Sequence, residues 1–183
     1  MNVYDFDKTI YRGDSSIDFI LYLTKKHPSL LKYYPKIFYT FIKYKLKKCP
    51  KIEFKSSFFM MIKDINLKKE INLFWNENIN KIKPWYLENK KASDLIISAS
   101  PLFLVTKACE ILNVKCIASE VDERTGKYIN NFYGEEKVKQ FKKIYQNKQI
   151  NKFYSDSVSD IYLAKIAKQS YLVKGNKIRK WEI

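Results

Sequence analysis

Residues 1–14 read MNVYDFDKTIYRGD, and this stretch decides the fold. It opens with Val3 and Tyr4, which are typical of a β-strand, and two carboxylates, Asp5 and Asp7, follow where the strand ends. Two acids this close repel each other, and they stay ionised when a cation lies between them. Because Asp-x-Asp alone is equally typical of a solvated turn, the interpretation depends on what the rest of the chain contributes.

The composition indicates a globular protein with a strong lysine bias. The chain has 183 residues, of which 46% are hydrophobic, so one domain with an insertion is expected. Its net charge of +16 comes almost entirely from lysine, since arginine occurs only at Arg12, Arg124 and Arg179. This bias favours an AT-rich genome over a nucleic-acid-binding surface, where clustered arginine is typical. We therefore expect no nucleic-acid partner, although a positive field would still attract phosphorylated substrates or an anionic membrane surface.

The cysteines and the hydropathy pattern point to the cytoplasm. There are three cysteines without a CxxC pair, and Cys109 and Cys116 lie in apolar stretches. Buried, reduced thiols of this kind are typical of cytoplasmic proteins. The first residues form a strand with acids rather than a signal peptide, and we find no uncharged stretch of 18 residues. We expect a cytoplasmic protein, with peripheral contact at the inner membrane surface as an open alternative.

The strand at the start of the chain is followed by a long helical region. Asp14 or Ser15 can cap a first helix, and helical patterns continue to Pro84, so residues 15–84 are predicted to form an all-helical insertion. Within it, residues 29–48 interleave aromatic side chains with lysines. Two interpretations of that stretch stay open. One is a helix with a core-facing apolar side and lysines that reach to water, and the other is a membrane-surface element.

From Asp94 onward, strands and helices alternate. This order predicts an α/β fold, a doubly wound, mostly parallel sheet formed by residues 1–14 and 85–183, with ligands at the C-terminal strand ends. The predicted strands are residues 95–97, 114–118, 171–173 and 177–183, with one further strand that ends at residue 154. A hairpin is predicted at 120–130. Helices are predicted at 134–147 and from about 160 through Lys168.

Four polar clusters fall on the same predicted edge of the sheet: Asp5 with Asp7 and Thr9; Ser98; Lys137; and Asp156 with Asp160. Three carboxylates can hold Mg²⁺, a lysine can neutralise a phosphoryl group, and a hydroxyl at a helix N-terminus can hold its oxygens. Phosphoryl transfer needs these groups: an anionic nucleophile, a metal to screen it and donors for the developing charge.

With these residues the chain resembles the haloacid dehalogenase superfamily of phosphatases. Residues 5–9, DFDKT, match its first motif, Asp-x-Asp-x-Thr, and Ser98, after a hydrophobic strand, matches the second. Lys137, in GEEKVKQF, matches the third motif, and residues 156–160, DSVSD, match the fourth. The insertion lies where this superfamily carries its type 1 cap. Together with the sequence YSDS around the fourth motif, it resembles the phosphoserine-phosphatase-like branch, which also holds phosphatases of lipid head groups.

The resemblance implies a role for each matching residue. Asp5 would attack phosphorus and form an aspartyl phosphate, while Asp7 would protonate the leaving group and then activate water. Mg²⁺ would be held by Asp5, Asp156 and the backbone carbonyl of Asp7, with Asp160 supporting a metal-bound water or the site lysine. The residues implied for phosphate binding are Thr9, Ser98, Ala99 and Lys137.

Two departures from the branch bear on the substrate. Phosphoserine phosphatases carry a glutamate soon after the first motif and an arginine in the cap, which bind the amine and carboxylate of the amino acid. Here the first position holds Asp14, and residues 15–84 contain no arginine, which disfavours phosphoserine. Arg12 and Asp14 are the substrate-side candidates. We expect a phosphorylated small molecule or a lipid head-group phosphate as substrate. The alternatives are phosphotransfer to an acceptor alcohol and a non-catalytic basic module that binds membrane or nucleic acid.

Overall fold

The computed structural model describes residues 1–146 and 148–183. The strands in this part of the chain are β1 (Val3–Tyr4), β2 (Leu95–Pro101), β3 (Lys115–Ser119), β4 (Ile150–Ser155), β5 (Ala167–Lys174) and β6 (Lys177–Lys180). The α-helices are α1 (Ser15–Lys26), α2 (Tyr34–Lys45), α3 (Lys51–Phe59), α4 (Leu67–Asn78), α5 (Pro84–Asn89), α6 (Leu102–Leu112), α7 (Glu135–Tyr145) and α8 (Ile161–Ile166). Short 3₁₀ turns lie at Pro28–Tyr33, Met60–Asp64, Ile79–Lys81 and Val158–Asp160.

The strands form one sheet in the order β3-β2-β1-β4-β5-β6. All neighbouring pairs are parallel except β5 and β6, which are antiparallel. Val3 in β1 pairs with Leu95 on one side and with Phe153 on the other. The chain order therefore reverses at β1, and such a switch point opens a crevice at the C-terminal ends of the strands. The predicted α/β fold with a mostly parallel sheet is confirmed.

The two faces of the sheet are covered by different helices. Successive strand residues point to opposite faces, so the buried side chains of Val3 and Tyr4 belong to separate hydrophobic clusters. The Val3 cluster includes Phe141 of α7. The Tyr4 cluster includes Trp75 of α4, whose indole Nε1 donates a hydrogen bond to the carbonyl of Leu104 at 2.8 Å. The helical segment between β1 and β2 thus shares a hydrophobic cluster with the sheet.

The first helix begins as predicted. Asp14 is the N-cap of α1, and its carboxylate accepts a hydrogen bond from the backbone N–H of Ile17 at 3.1 Å. Such a cap satisfies one of the free N–H groups of the first turn. It also fixes where the chain leaves the loop after β1, which places the start of α1 beside the acids of that loop.

The predicted end of the last helix was wrong. The helix was expected to continue through Lys168, but α8 ends at Ile166 and β5 begins at Ala167. The reason is pairing with β4, in which Lys152 lies opposite Gln169. Alanine and lysine favour a helix locally, and the sheet overrides that preference.

Two other boundaries differ in detail. Pro84 does not end the helical region, because α5 begins there, with proline in its first turn. The helix predicted at 134–147 is α7, with Gly134 as its N-cap, and Asn147 lies outside the described residues.

Within residues 1–146 and 148–183, no helix combines the length and the apolar character that crossing a bilayer requires.

Candidate active site

A cleft of about 440 Å³ opens where the C-terminal ends of β1, β2 and β4 meet the helical segment. The floor is defined here as five charged side chains on the sheet side of the cleft, Asp5, Asp7, Lys137, Asp156 and Asp160, and Lys8 and Asp14 from the loop after β1 also line the cleft. The opposite side, here called the wall, includes the following side chains from α2 and α3: Tyr44, Lys51, Phe54, Lys55 and Phe58.

The loop after β1 is held in place by its own backbone and by one buried lysine. The N–H of Lys8 donates to the carbonyl of Gly13 at 2.8 Å, which closes the loop. Lys83 is only 3% exposed, and its ammonium donates to the carbonyls of Lys8 and Gly175, the latter at 2.7 Å. Burial lowers the pKa of Lys83. This lysine fastens the loop that carries Asp5 and Asp7 to the turn between β5 and β6.

Lys137 lies at the centre of the floor and contacts two carboxylates. Its Nζ atom is 2.6 Å from Oδ1 of Asp5 and 2.7 Å from Oδ2 of Asp160. Burial by itself lowers the pKa of this ammonium, but the two carboxylates outweigh burial and keep the pKa of Lys137 above its usual value. Lys137 therefore carries a permanent positive charge beside Asp5. Asp160 Oδ2 also accepts a hydrogen bond from Ser155 at 2.8 Å.

Asp5 joins β1 to the loop after β4. Its Oδ2 atom accepts a hydrogen bond from the Thr9 hydroxyl at 3.2 Å, and Thr9 in turn accepts one from the backbone N–H of Asp156 at 2.9 Å. Burial raises the pKa of Asp5, while the ammonium of Lys137 opposes that rise. The carboxylate is thus fixed in orientation by Thr9 and Lys137, and it faces the cleft.

Asp7 is held by donors from two other elements. Its Oδ1 accepts from the N–H of Ser15, the first residue of α1, at 2.6 Å, and its Oδ2 accepts from the hydroxyl of Ser100 at the end of β2. Burial raises the pKa of Asp7 to about 6, the charge of Asp14 adds to the rise, and the hydrogen bonds from Ser100 and Ser15 oppose it. Ser100 and Ser15 were not predicted as site residues, although each lies next to a residue that was.

The other predicted site residues are placed as follows. Ala99 and Asp14 line the cleft. Ser98 is 1% exposed, and its hydroxyl accepts a hydrogen bond from the N–H of Ser100 at 3.0 Å. Arg12 lines a neighbouring pocket of about 650 Å³ together with Lys83, rather than the cleft.

The floor has the donor chemistry of a magnesium site, although the described side chains form no group of three or more histidine, cysteine or acidic residues placed to hold a metal ion. Asp5 and Asp156 bring carboxylates to the same cleft, and Asp5 shares the ammonium of Lys137 with Asp160. Carboxylate and carbonyl oxygens with excess negative charge fit Mg²⁺. Asp160 fits the role of a support for Lys137, since its Oδ2 atom already accepts from Lys137 and Ser155.

The wall is largely aromatic. Tyr44 stacks on Phe54 with ring centroids 5.1 Å apart, and Phe54 meets Phe58 edge-on at 4.9 Å. The predicted hairpin closes the cleft from the side: Val121 and Tyr128 form an antiparallel bridge, and Tyr128 lines the cleft. Gly126 at its tip lies so close to the end of α3 that a Cβ atom would be 2.0 Å from the carbonyl oxygen of Phe59.

The wall also contains two lysines that the sequence analysis missed, Lys51 and Lys55. Their spacing of four residues, with Phe54 and Phe58 between and beyond them, places all four near one side of a helix. That spacing could have indicated two lysines in the site, but the chain has so many other lysines that this pair did not stand out.

Comparison with known proteins supports the predicted family. The haloacid dehalogenase-like hydrolase family matches residues 3–165. A search of curated proteins finds no match to the chain. Among solved structures, a protein of unknown function from Bordetella pertussis Tohama I is similar, with a TM-score of 0.75 and 15% identity over 93% of this chain and 87% of its own.

A phosphoserine phosphohydrolase-like protein and a phosphoserine phosphatase are also similar in fold. A phosphoserine phosphohydrolase-like protein from Francisella tularensis subsp. tularensis SCHU S4 has a TM-score of 0.57 and 18% identity, over 93% of this chain and 86% of its own. A phospho-aspartyl intermediate analogue of phosphoserine phosphatase has a TM-score of 0.55 and 17% identity, over 92% and 83%. These likenesses show a shared fold, and the family match spans the strands that carry the floor. The chain therefore belongs to the haloacid dehalogenase-like hydrolases.

Proposed function

We propose that this chain is a Mg²⁺-dependent phosphomonoester hydrolase that works through an aspartyl phosphate on Asp5. The observation that carries the proposal is the arrangement of the floor. Asp5 faces the cleft beside the ammonium of Lys137, and Asp7 lies in the same cleft on two fixed donors. One carboxylate is thus available as a nucleophile and a second as an acid and base, which is the division of labour that hydrolysis through a covalent intermediate needs.

In the first half-reaction, a carboxylate oxygen of Asp5 attacks phosphorus and the bond to the leaving oxygen breaks. Asp7, protonated beforehand, gives its proton to that oxygen, so the leaving group departs as an alcohol. Lys137, Thr9, Ser98 and the backbone at Ala99 are the proposed donors near the phosphoryl oxygens. Mg²⁺, held by Asp5, Asp156 and the carbonyl of Asp7, would supply positive charge that screens the nucleophile from the phosphate.

In the second half-reaction, Asp7 accepts a proton from water as the water attacks the phosphorus of the aspartyl phosphate. The acyl phosphate bond breaks, inorganic phosphate leaves and the Asp5 carboxylate is regenerated. The contacts of Asp7 with Ser15 and Ser100 keep it in place through both steps. A fixed position matters because the same oxygen must reach the leaving group first and water second.

We assign the chemistry to residues 1–14 and 85–183 and the choice of substrate to residues 15–84, acting as a cap. The proposed substrates are a phosphorylated small molecule and a lipid head-group phosphate. The similar structures include a phosphoserine phosphatase and a phosphoserine phosphohydrolase-like protein, but the helical region here contains no arginine that could bind the carboxylate of phosphoserine.

Exposed apolar side chains on and next to α2 support the proposal that this cytoplasmic protein makes peripheral contact with the inner membrane surface. Phe38 and Tyr39 of α2 are 64% and 62% exposed, Leu46 directly after the helix is 60% exposed, and lysines lie among them. Apolar side chains with interspersed lysines suit an anionic membrane surface. Phe41, half-exposed on this face, lies 5.7 Å from Phe54 of the wall, so the exposed face and the cleft are connected through aromatic side chains.

The proposal is tested by phosphate release from a panel of metabolites and short-chain phospholipids, with Mg²⁺ or with EDTA. We expect release that needs Mg²⁺ and disappears in Asp5→Asn. Glu88→Gln, which changes an exposed acid of α5, serves as the matched control and should behave as the unmodified protein. Release that persists in Asp5→Asn would contradict the mechanism. No release from any compound, together with salt-sensitive binding to vesicles or nucleic acid, would favour a non-catalytic basic module.

A further inference from the structure

Helix α3 presents two lysines to the cleft that the proposed chemistry does not use. Lys51 and Lys55 are four residues apart, so their side chains lie on the same side of the helix, and both line the cleft together with Asp7 and Ser100. The floor has its own ammonium, Lys137. The wall therefore adds positive charge on the side of the cleft opposite the floor.

Lys55 reaches from α3 to the sheet side of the cleft. Its Nζ atom donates to the carbonyl of Ala99 and to Oδ1 of Asn131 at 2.8 Å, and it lies 4.5 Å from the centre of the Tyr128 ring. An ammonium has three N–H donors, so one remains beyond those two bonds. Both hydrogen-bond partners are neutral, and the charge of Lys55 is therefore not cancelled by them.

Lys51 is exposed, one turn earlier on the same helix. Its Nζ atom lies 3.5 Å from the centre of the Tyr133 ring, a cation–π contact that holds the charge at the edge of the cleft without neutralising it. The acid of the same helix, Glu53, pairs with Lys43 of α2 at 3.3 Å. Among residues 1–146 and 148–183, neither Lys51 nor Lys55 forms an ion pair with a carboxylate.

The acids that face Lys55 are engaged elsewhere. Asp14 caps α1 through the N–H of Ile17, and Asp7 accepts from Ser15 and Ser100. Like charges at this spacing destabilise a helix, and Lys51 adds to burial in lowering the pKa of Lys55. The repulsion between these two ammonium groups is offset when an anion binds near both of them.

We propose that Lys51 and Lys55 form a second anion subsite, which binds a carboxylate or phosphate carried by the leaving group of the substrate. This inference rests on the proposed hydrolase function, because it defines the leaving group of that reaction. Phe54 and Phe58 lie on the same side of the helix as the two lysines and line the same cleft, and they provide apolar contact for the part of the substrate that joins its two anions. The substrate class is therefore a phosphomonoester with a second negative charge across an apolar or planar spacer.

Two aryl esters of equal size test the subsite directly. 4-Carboxyphenyl phosphate carries the second anion, and 4-carbamoylphenyl phosphate replaces it with a neutral amide. We expect the protein to prefer the carboxylate in kcat/KM by about tenfold, the effect of one hydrogen bond to a charged group. Lys51→Met and Lys55→Met should each lower this ratio, and the double variant should bring it close to one.

The ratio separates recognition from folding. Lys55→Met also removes the bonds to Ala99 and Asn131, so its overall activity can fall, but a general loss cancels between the two esters. Lys69→Met removes one exposed lysine from α4 and should leave the ratio unchanged. A ratio near one in the unmodified protein, or the same ratio in the double variant, would overturn the subsite.

Binding separates this inference from the proposed function. If neither ester nor any compound of the metabolite and phospholipid panel is hydrolysed, the hydrolase proposal fails, and the subsite is judged by calorimetry with 4-carboxybenzylphosphonate and 4-carbamoylbenzylphosphonate. Tighter binding of the carboxylate, lost in the double variant, supports the subsite without any turnover. Equal binding of the two phosphonates contradicts it.

Competition identifies the source of the anion. Phosphatidylglycerol vesicles and free glycerophosphoglycerol present the same head group, one on a membrane and one in solution. Inhibition of 4-carboxyphenyl phosphate hydrolysis by the vesicles alone assigns the subsite to a lipid, and inhibition by the free compound as well assigns it to a soluble anion. In both cases the double variant should lose the inhibition, and inhibition that persists there counts against the subsite.

Discussion

The floor and the wall of the cleft face each other but are built in opposite ways. On the floor, Lys137 contacts two carboxylates and Asp7 accepts from two donors, so these side chains are fixed in position before any substrate arrives. On the wall, aromatic rings stand beside Lys51 and Lys55, whose charges no carboxylate cancels in the described part of the chain. The groups of the floor are therefore preorganised for chemistry, whereas the charges of the wall are paired only when a ligand binds.

The largest effect is expected from the floor. Asp5→Asn replaces the proposed nucleophile with an amide, which is a poor nucleophile and a weak metal ligand, so kcat should fall by about 10⁴ or more. Steady-state phosphate release measures this, with thermal unfolding to show that the variant is folded. Residual activity within about tenfold of the unmodified protein would remove Asp5 from the chemistry and the floor from its assigned role.

Asp7→Asn should separate the two half-reactions. With a good leaving group, little protonation is needed and the aspartyl phosphate still forms, but hydrolysis should slow by about 10²–10⁴ because the base that activates water is missing. Rapid-quench kinetics with 4-nitrophenyl phosphate should therefore show a burst followed by a slow phase. Equal loss of both phases would assign Asp7 another role.

Lys83→Met tests whether the floor depends on support from outside the cleft. The substitution leaves the carbonyls of Lys8 and Gly175 without this donor, at a cost of about 1–3 kcal/mol in the free energy of unfolding. We expect kcat to fall more than KM rises. Lys81→Met is the control: Lys81 is partly exposed and pairs with Asp18 at 2.9 Å, so its removal should cost less than about 1 kcal/mol. Equal stability losses would show that Lys83 has no special role.

The smallest effect concerns pH and the wall. Burial and the neighbouring Lys51 lower the pKa of Lys55 to about 8, while Asp14 and Asp7 oppose this and Lys137 adds to it. Lys55 is charged below that pH and neutral above it. The preference for 4-carboxyphenyl over 4-carbamoylphenyl phosphate should therefore decline severalfold as the pH rises through about 8. Titrations of the floor affect both esters alike and cancel. A constant ratio from pH 6 to 10 would exclude Lys55 from anion binding.

The sequence was informative about the floor for a physical reason. Its residues follow the ends of strands or begin a helix, and parallel strands bring such positions together at one edge of a sheet. Asp5 and Lys137 are far apart in the chain but only 2.6 Å apart in space, and short motifs were enough to predict that they share a site. The order of strands and helices could be predicted from the sequence as well.

The wall could not be predicted in the same way. Whether Lys55 points into the cleft depends on how α3 docks, and that depends on contacts such as the close approach of Gly126 to Phe59. The amphipathic pattern of α2 likewise did not show that Phe38 would be exposed. The early start of β5 at Ala167 is a further case, because long-range pairing with β4 overrides a local helix preference.

The central claim is that Asp5 on the floor carries the phosphoryl group during turnover, while the wall only selects the leaving group of the substrate. The most direct test is acid quench of Asp7→Asn during turnover of 4-nitrophenyl phosphate, followed by peptide mass spectrometry. The account predicts one phosphoryl group on the peptide from the start of the chain, located at Asp5, in Mg²⁺ and absent in EDTA. A phosphoryl group on another residue, or a nitrophenol burst that leaves no phosphorylated peptide, would contradict it.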